Sequence, residues 1–226
     1  MKKVIVLVAI IALLLCGCAA PEDGQIVDVT ASAQTPSDIE PTVEPEPTPI
    51  PIPSPVTYTG SGDDVIDVTP FPSSLYVFEI SGNDAESNFI ITTYTDSGDY
   101  GELLVNTIDK YHGITMDPGF NVSSIEVKAE GDWTIVQRSI YDMDVMHAGQ
   151  TYAGTGDRIV LVKGGGNTAS ITGNDAESNF IIWAYDSQGR SSLLVNEIDK
   201  YDGKVMAKDP IIFQVLAVGD WSITLN

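Results

Sequence analysis

SIEVKAEGDWTI, Ser124 to Ile135, carries the fold in its spacing. Ile125, Val127 and Ala129 alternate with Ser124, Glu126, Lys128 and Glu130, giving one apolar and one polar face at a period of two. That is the pattern of a strand half-buried in a sheet. A Gly-Asp turn follows, and then Trp133 and Ile135 again take alternate positions, which reads as a hairpin. Phe213, Val215 and Ala217 repeat the apolar face, and Gly219-Asp220 precedes Trp221 and Ile223 in the same way.

The second occurrence is no accident of composition. GNDAESNFII stands at Gly82 to Ile91 and again, unchanged, at Gly173 to Ile182. YTGSGDDVIDV (Tyr58 to Val68) matches YAGTGDRIVLV (Tyr152 to Val162), and LLVNTIDKYHG (Leu103 to Gly113) matches LLVNEIDKYDG (Leu193 to Gly203), all in the same order. The blocks are separated by stretches of unequal length rich in Gly, Asp and Pro, where surface loops absorb insertions. The chain is a tandem duplication, divided at residues 57–148 and 149–226.

Within each copy, Tyr76, Phe78 and Ile80 alternate likewise, while Asn88 to Thr95 is apolar on both faces, as a central strand would be. The LLVN runs fit a short amphipathic helix or a strand; their shortness and the Tyr-x-Gly that follows favour strand. About seven strands per copy and no convincing long helix predict an all-β chain of two tandem antiparallel β-sandwiches, jelly-roll or Ig-like. The repeated unit, with its pattern G-x-G-D, S-N-F, L-L-V-N-x-I-x-x-Y-x-G and G-D-W, also resembles an uncharacterised domain of exported prokaryotic proteins. The resemblance implies an extracytoplasmic β-domain and brings no activity with it.

Ahead of the repeats, Lys2 and Lys3 precede an apolar run, Val4 to Leu15, too short to span a bilayer and shaped like an export signal. Its end, Leu15-Cys16-Gly17-Cys18, resembles the lipobox of bacterial lipoproteins. The resemblance implies removal of residues 1–17 and lipid attachment at Cys18, with an anchor strengthened by about 0.8 kcal/mol per buried methylene. An ordinary secretory signal is the competing reading. Cleavage would leave no second cysteine for a disulfide. Residues 18–56 then form an acidic, proline-rich tether ending in PEPTPIPIPSP (Pro45 to Pro55), which should stay solvated, partly as polyproline II. At about 3.1 Å per residue, that run alone would reach roughly 34 Å.

The full chain has 32 acidic and 11 basic residues, a net charge of −21. Without Lys2 and Lys3 the charge falls to −23, a poor surface for nucleic acid. Acidity is uneven: 16 acidic against three basic residues in 57–148, nine against six in 149–226.

Catalytic motifs are weak. The two histidines occupy unrelated places, His112 aligning with Asp202 and His147 lying between the copies. There is no HExxH, Walker or Rossmann pattern, and paired carboxylates arise easily in so acidic a chain. Two binding patterns are open. Asp84, Glu86 and Asn88, with Asp175, Glu177 and Asn179, put oxygen ligands at alternate positions, a spacing suited to calcium. The competing reading is a turn whose Asp, Ser and Asn side chains satisfy backbone donors. Trp183 and Tyr185 share a strand face and, if exposed, could stack on a sugar ring, whereas Trp133 and Trp221 read as core. The expectation is a lipid-anchored, non-enzymatic surface protein without a bound cofactor, whose modules bind an envelope protein or glycan. A carbohydrate-active hydrolase or its glycan-binding accessory subunit is the alternative.

Overall fold

The computed structural model describes residues 52–72 and 75–226. The expected signal segment, Cys18 and most of the expected tether lie outside the described residues. Strands account for the architecture, and a single 3-10 turn at Ile140–Asp142 is the one helical element among the described residues. The first copy contains β1 (Val56–Ser61), β2 (Asp64–Asp67), β3 (Tyr76–Gly82), β4 (Phe89–Tyr94), β5 (Tyr100–Thr107), β6 (Tyr111–Thr115), β7 (Ser124–Lys128) and β8 (Asp132–Ser139). After β9 (Val145–His147) the second contains β10 (Thr151–Thr155), β11 (Arg158–Lys163), β12 (Thr168–Gly173), β13 (Phe180–Asp186), β14 (Ser191–Glu197), β15 (Tyr201–Met206), β16 (Pro210–Leu216) and β17 (Asp220–Leu225). Both LLVN runs are strands, β5 and β14.

Each copy forms two sheets, ordered β1-β8-β3-β6 and β2-β7-β4-β5 in the first, β10-β17-β12-β15 and β14-β13-β16-β11-β9 in the second. Eight strands distributed over two sheets in these orders make a jelly roll, which decides between the two sandwiches expected from the sequence. All pairings are antiparallel except β9 with β11. Strand β9 precedes Gly149, yet it pairs with the second sandwich, and Met146 lies in that core.

The Gly-Asp turn is not a hairpin. Strand β7 pairs with β2 and β4, whereas β8 pairs with β1 and β3, so the chain crosses from one sheet to the other at Gly131-Asp132. Alternation says which side chains point inward, but two strands facing each other across a core show the same pattern as two neighbours in one sheet. Phe78, Ile80, Trp133 and Ile135 from one sheet meet Phe89, Ile91, Ile125 and Val127 from the other, all essentially buried. Ile171, Trp221 and Ile223 against Phe180, Ile182, Phe213 and Val215 repeat this in the second copy. Burying one such side chain contributes about 1.5–3 kcal/mol. The two cores are separate, so each copy is a sandwich in its own right.

Candidate functional site

The duplicated loop is organised by its asparagine. Asn83 sits at φ 65, a left-handed position that asparagine tolerates well, and is 1% exposed. Its amide nitrogen donates to the carbonyls of Ser87 (2.8 Å) and Asp109 (2.9 Å), and its carbonyl oxygen accepts the Ser87 N–H (3.2 Å). Asn174 makes the same three bonds with Ser178 and Asp199. The side chain thereby ties the loop to the turn that follows the LLVN strand.

The calcium ligands expected from the sequence do not converge. Asp84, Glu86, Asn88, Asp175, Glu177 and Asn179 are all exposed. Asp84 pairs with Lys110 at 2.6 Å and Asp175 with Lys200 at 2.7 Å. Among the described residues, no three His, Cys, Asp or Glu side chains form a group that could hold a metal ion. In a loop with left-handed Asn83 and Glu86, a two-residue spacing does not aim side chains at one point.

The G-x-G-D and G-D-W blocks prove to be two halves of one lock. The Trp133 indole N–H donates to Gly62 C=O at 3.0 Å, and a Cβ on Gly60 would fall inside the indole ring. Asp63 accepts the Ala129 N–H at 2.9 Å. Trp221, Gly154, Gly156, Asp157 and Ala217 repeat the arrangement. Asp157 also does what Asp63 does not: its second oxygen accepts the Tyr111 hydroxyl of the first copy at 2.6 Å. Ile114 N–H donates to Asp157 C=O at 3.0 Å beside it. Burial raises the Asp157 pKa, an effect the bonds from Tyr111 and Ala217 partly offset.

Around these bonds the sandwiches dock. Val77, Ile114, Met116, Ile140 and Met143 of the first copy share an apolar cluster with Ile159, Leu161, Tyr185 and Ile212 of the second. The outer face of β3 and β6 therefore packs on the outer face of β11, β13 and β16. Gln214 supports the joint by donating to Thr115 Oγ1 and the Met116 carbonyl, both at 3.4 Å. The pair expected at Trp183 and Tyr185 is not an exposed stacking surface. Tyr185 is buried within the cluster, its hydroxyl donating to Gln214 at 2.9 Å, and half-buried Trp183 packs against it. Their strand face is an outer one, as the alternation required, but the sister sandwich covers it.

The joint explains where the copies have diverged. Ile159 and Leu161 stand where the first copy has Val65 and Asp67, Ile212 where it has Ser124, and Ile114 where the second has Lys204. Met116 is fully buried, whereas its counterpart Met206 is 70% exposed. Apolar residues have accumulated on the two faces that meet, whereas the two that do not carry Asp67, Ser124 and Lys204 beside exposed Val65 and Met206.

The described surface includes open depressions. One, about 350 Å³, is lined by Tyr185, Asp186, Arg190, Ser191, Ser192 and Lys208. Another, about 520 Å³, surrounds Asp63, Asn88, Lys128 and Glu130. A carboxylate pair marks the first copy alone: buried Asp117 accepts from Thr93 Oγ1 (2.6 Å) and Gly119 N–H (2.8 Å). Burial and then Asp117 raise the pKa of Glu102. The second copy has Ala184, Ala207 and Ser192 at the places of Thr93, Asp117 and Glu102.

No family model matches the chain, and no curated protein matches it. Among solved structures, the regulatory subunit of a cAMP-independent protein kinase A from Trypanosoma cruzi bound to guanosine aligns with 72% of this chain and 71% of that one. The identity is 8% and the TM-score 0.22, so the likeness carries no argument.

Proposed function

We propose that the chain is a membrane-anchored extracytoplasmic lipoprotein, held by acyl chains on Cys18 and carrying its paired jelly rolls on an acidic proline-rich tether as a binding or envelope-assembly module. The observation that supports this best is the built joint between the sandwiches. Tyr111, Asp157, Gln214 and the apolar cluster fix the two copies as one body, a use of sequence suited to presenting surfaces rather than to enclosing a reaction. Nucleic acid is disfavoured as a partner by the charge of −21. The test is metabolic labelling with a radioactive fatty acid in the bacterial host. Label and membrane association should both vanish in Cys18→Ser; a wild-type chain that stays unlabelled and soluble would reject the anchor.

The hydrolase reading keeps one specific support, the Glu102–Asp117 pair present in one copy only. Screening cell-wall and soluble glycans for hydrolysis, with Glu102→Gln as the control, tests it; turnover indifferent to Glu102→Gln would remove that support.

A further inference from the structure

The joint between the copies is heterologous: the β3/β6 face of the first meets the β11/β13/β16 face of the second. Each copy uses one face there, and among the described residues nothing covers the complementary two. These ends keep the tyrosine and aspartate of the joint, while Glu126 stands in the place of Gln214. Tyr201 is the counterpart of Tyr111, and no acceptor for its hydroxyl is found among the described residues. Asp63 is the counterpart of Asp157; it holds the Ala129 N–H through one oxygen and lines the depression of about 520 Å³. Strand β15 is an outer strand like β6, and the registers Glu79↔Ile114 and Ser170↔Lys204 coincide. Lys204 N–H is thereby placed as Ile114 N–H is, facing away from its sheet.

One difference between the internal joint and the free ends is reciprocal, beside one-sided changes such as Val77 to Thr168 and Ile212 to Ser124. Ile114 and Leu161 are both apolar and share one cluster inside the chain. Their counterparts at the ends are Lys204 and Asp67, both exposed and opposite in charge. The exposed Val65 and Met206 stand where Ile159 and Met116 are buried. The free face of the first copy belongs to the strongly acidic half and that of the second to the half holding six of the nine basic residues after the signal.

We propose that a second copy of this chain docks head to tail on the first, Tyr201 of one donating to Asp63 of the next and Lys204 pairing with Asp67. The contact keeps the Tyr–Asp bond of the internal joint, with an ion pair and fewer apolar contacts at its centre. It is accordingly weaker and salt-sensitive, because exposed pairs are screened over about 10 Å at 0.1 M salt. A heterologous contact that does not close on itself gives open chains of copies rather than a dimer. Tethers would hold such copies at high local concentration on a surface, but the docking itself does not depend on lipid attachment.

Sedimentation velocity of the full chain in a density-matched detergent tests this, across protein concentration and at low and high salt. Association should rise with concentration and fall with salt. Asp67→Lys and Lys204→Glu should each weaken it about tenfold. Both residues are exposed, so folding is not at stake, and circular dichroism checks that. An equimolar mixture of the two variants should associate again, since each supplies the charge that the other now needs. Three results would overturn the proposal: a monomer under all conditions, which would make the polar ends simple caps; association indifferent to both reversals, as from shared micelles; and a mixture no stronger than its components.

Discussion

Tyr111 and Tyr201 form a natural control pair. Both begin the strand after the LLVN turn, both pack at a tilt against a core phenylalanine (Phe89 and Phe180, centroids 6.2 Å apart in each case), and both stand two residues before a glycine. They differ in one respect: the Tyr111 hydroxyl donates to the largely buried Asp157 carboxylate. Tyr111→Phe deletes that bond and keeps the ring. A hydrogen bond to a charged group contributes about 1.5–3 kcal/mol, and Asp157 retains the Ala217 N–H at 2.8 Å, so a loss of about 2 kcal/mol is expected. Tyr201→Phe removes a hydroxyl without such an acceptor and should cost less than about 0.5 kcal/mol. With a urea m-value of about 2 kcal/mol/M, the midpoints should differ by about 1 M. The assay is urea unfolding of dilute full-length protein followed by tryptophan fluorescence. If the joint also couples the sandwiches, Tyr111→Phe should lower the apparent m-value as the two cores begin to unfold separately. Equal midpoints for the two variants, within about 0.2 M, would refute the claim that Asp157 fastens the copies together.

Asp157 also sets a pH dependence. Its folded pKa is raised, chiefly by burial, so the penalty for burying the ionised group is present above that pKa and relieved as pH falls through it. Urea midpoints should therefore rise for this group as pH is lowered from neutrality towards the upper carboxylate range, and Asp157→Asn should flatten that rise. Gly60→Ala forces a methyl into the Trp133 indole and should cost about 1–3 kcal/mol, read as a lower melting temperature. Asn83→Ala leaves the Ser87 N–H and two carbonyls without their partner and should cost about 2–3 kcal/mol, whereas millimolar calcium or chelator should leave the wild-type melting temperature in place. Trp183→Ala should destabilise by about 2 kcal/mol through lost packing at the joint, and soluble glycans should leave the wild-type tryptophan fluorescence unchanged.

The candidate sites were less legible than the strands because each depended on exposure. Six oxygen-bearing side chains at alternate positions look alike in sequence whether they surround an ion or point into water. Asn83 and Asn174 read in sequence as turn residues only, because a side chain that donates to two carbonyls and accepts one N–H leaves no periodic trace. Asp63 and Asp157 sat in plain view within the G-x-G-D block, and the repetition of that block together with G-D-W was the signal that could have paired them. The divergence between copies carried information too: Asp67/Leu161, Ser124/Ile212 and Lys204/Ile114 change polarity together, as positions on a covered face do.

By itself, the order of residues determined the duplication, the strand character of its blocks and which side chains of each strand face inward. These follow from local periodicity and from repetition, both visible along a line. Only the tertiary structure decided that Gly131-Asp132 crosses between sheets, that the sandwiches are jelly rolls, and that Trp183 and Tyr185 lie beneath a neighbour. Those outcomes turn on which sheet a strand joins and which outer face is covered, and both are contacts between residues far apart in sequence, which an apolar alternation is equally ready to make in more than one way.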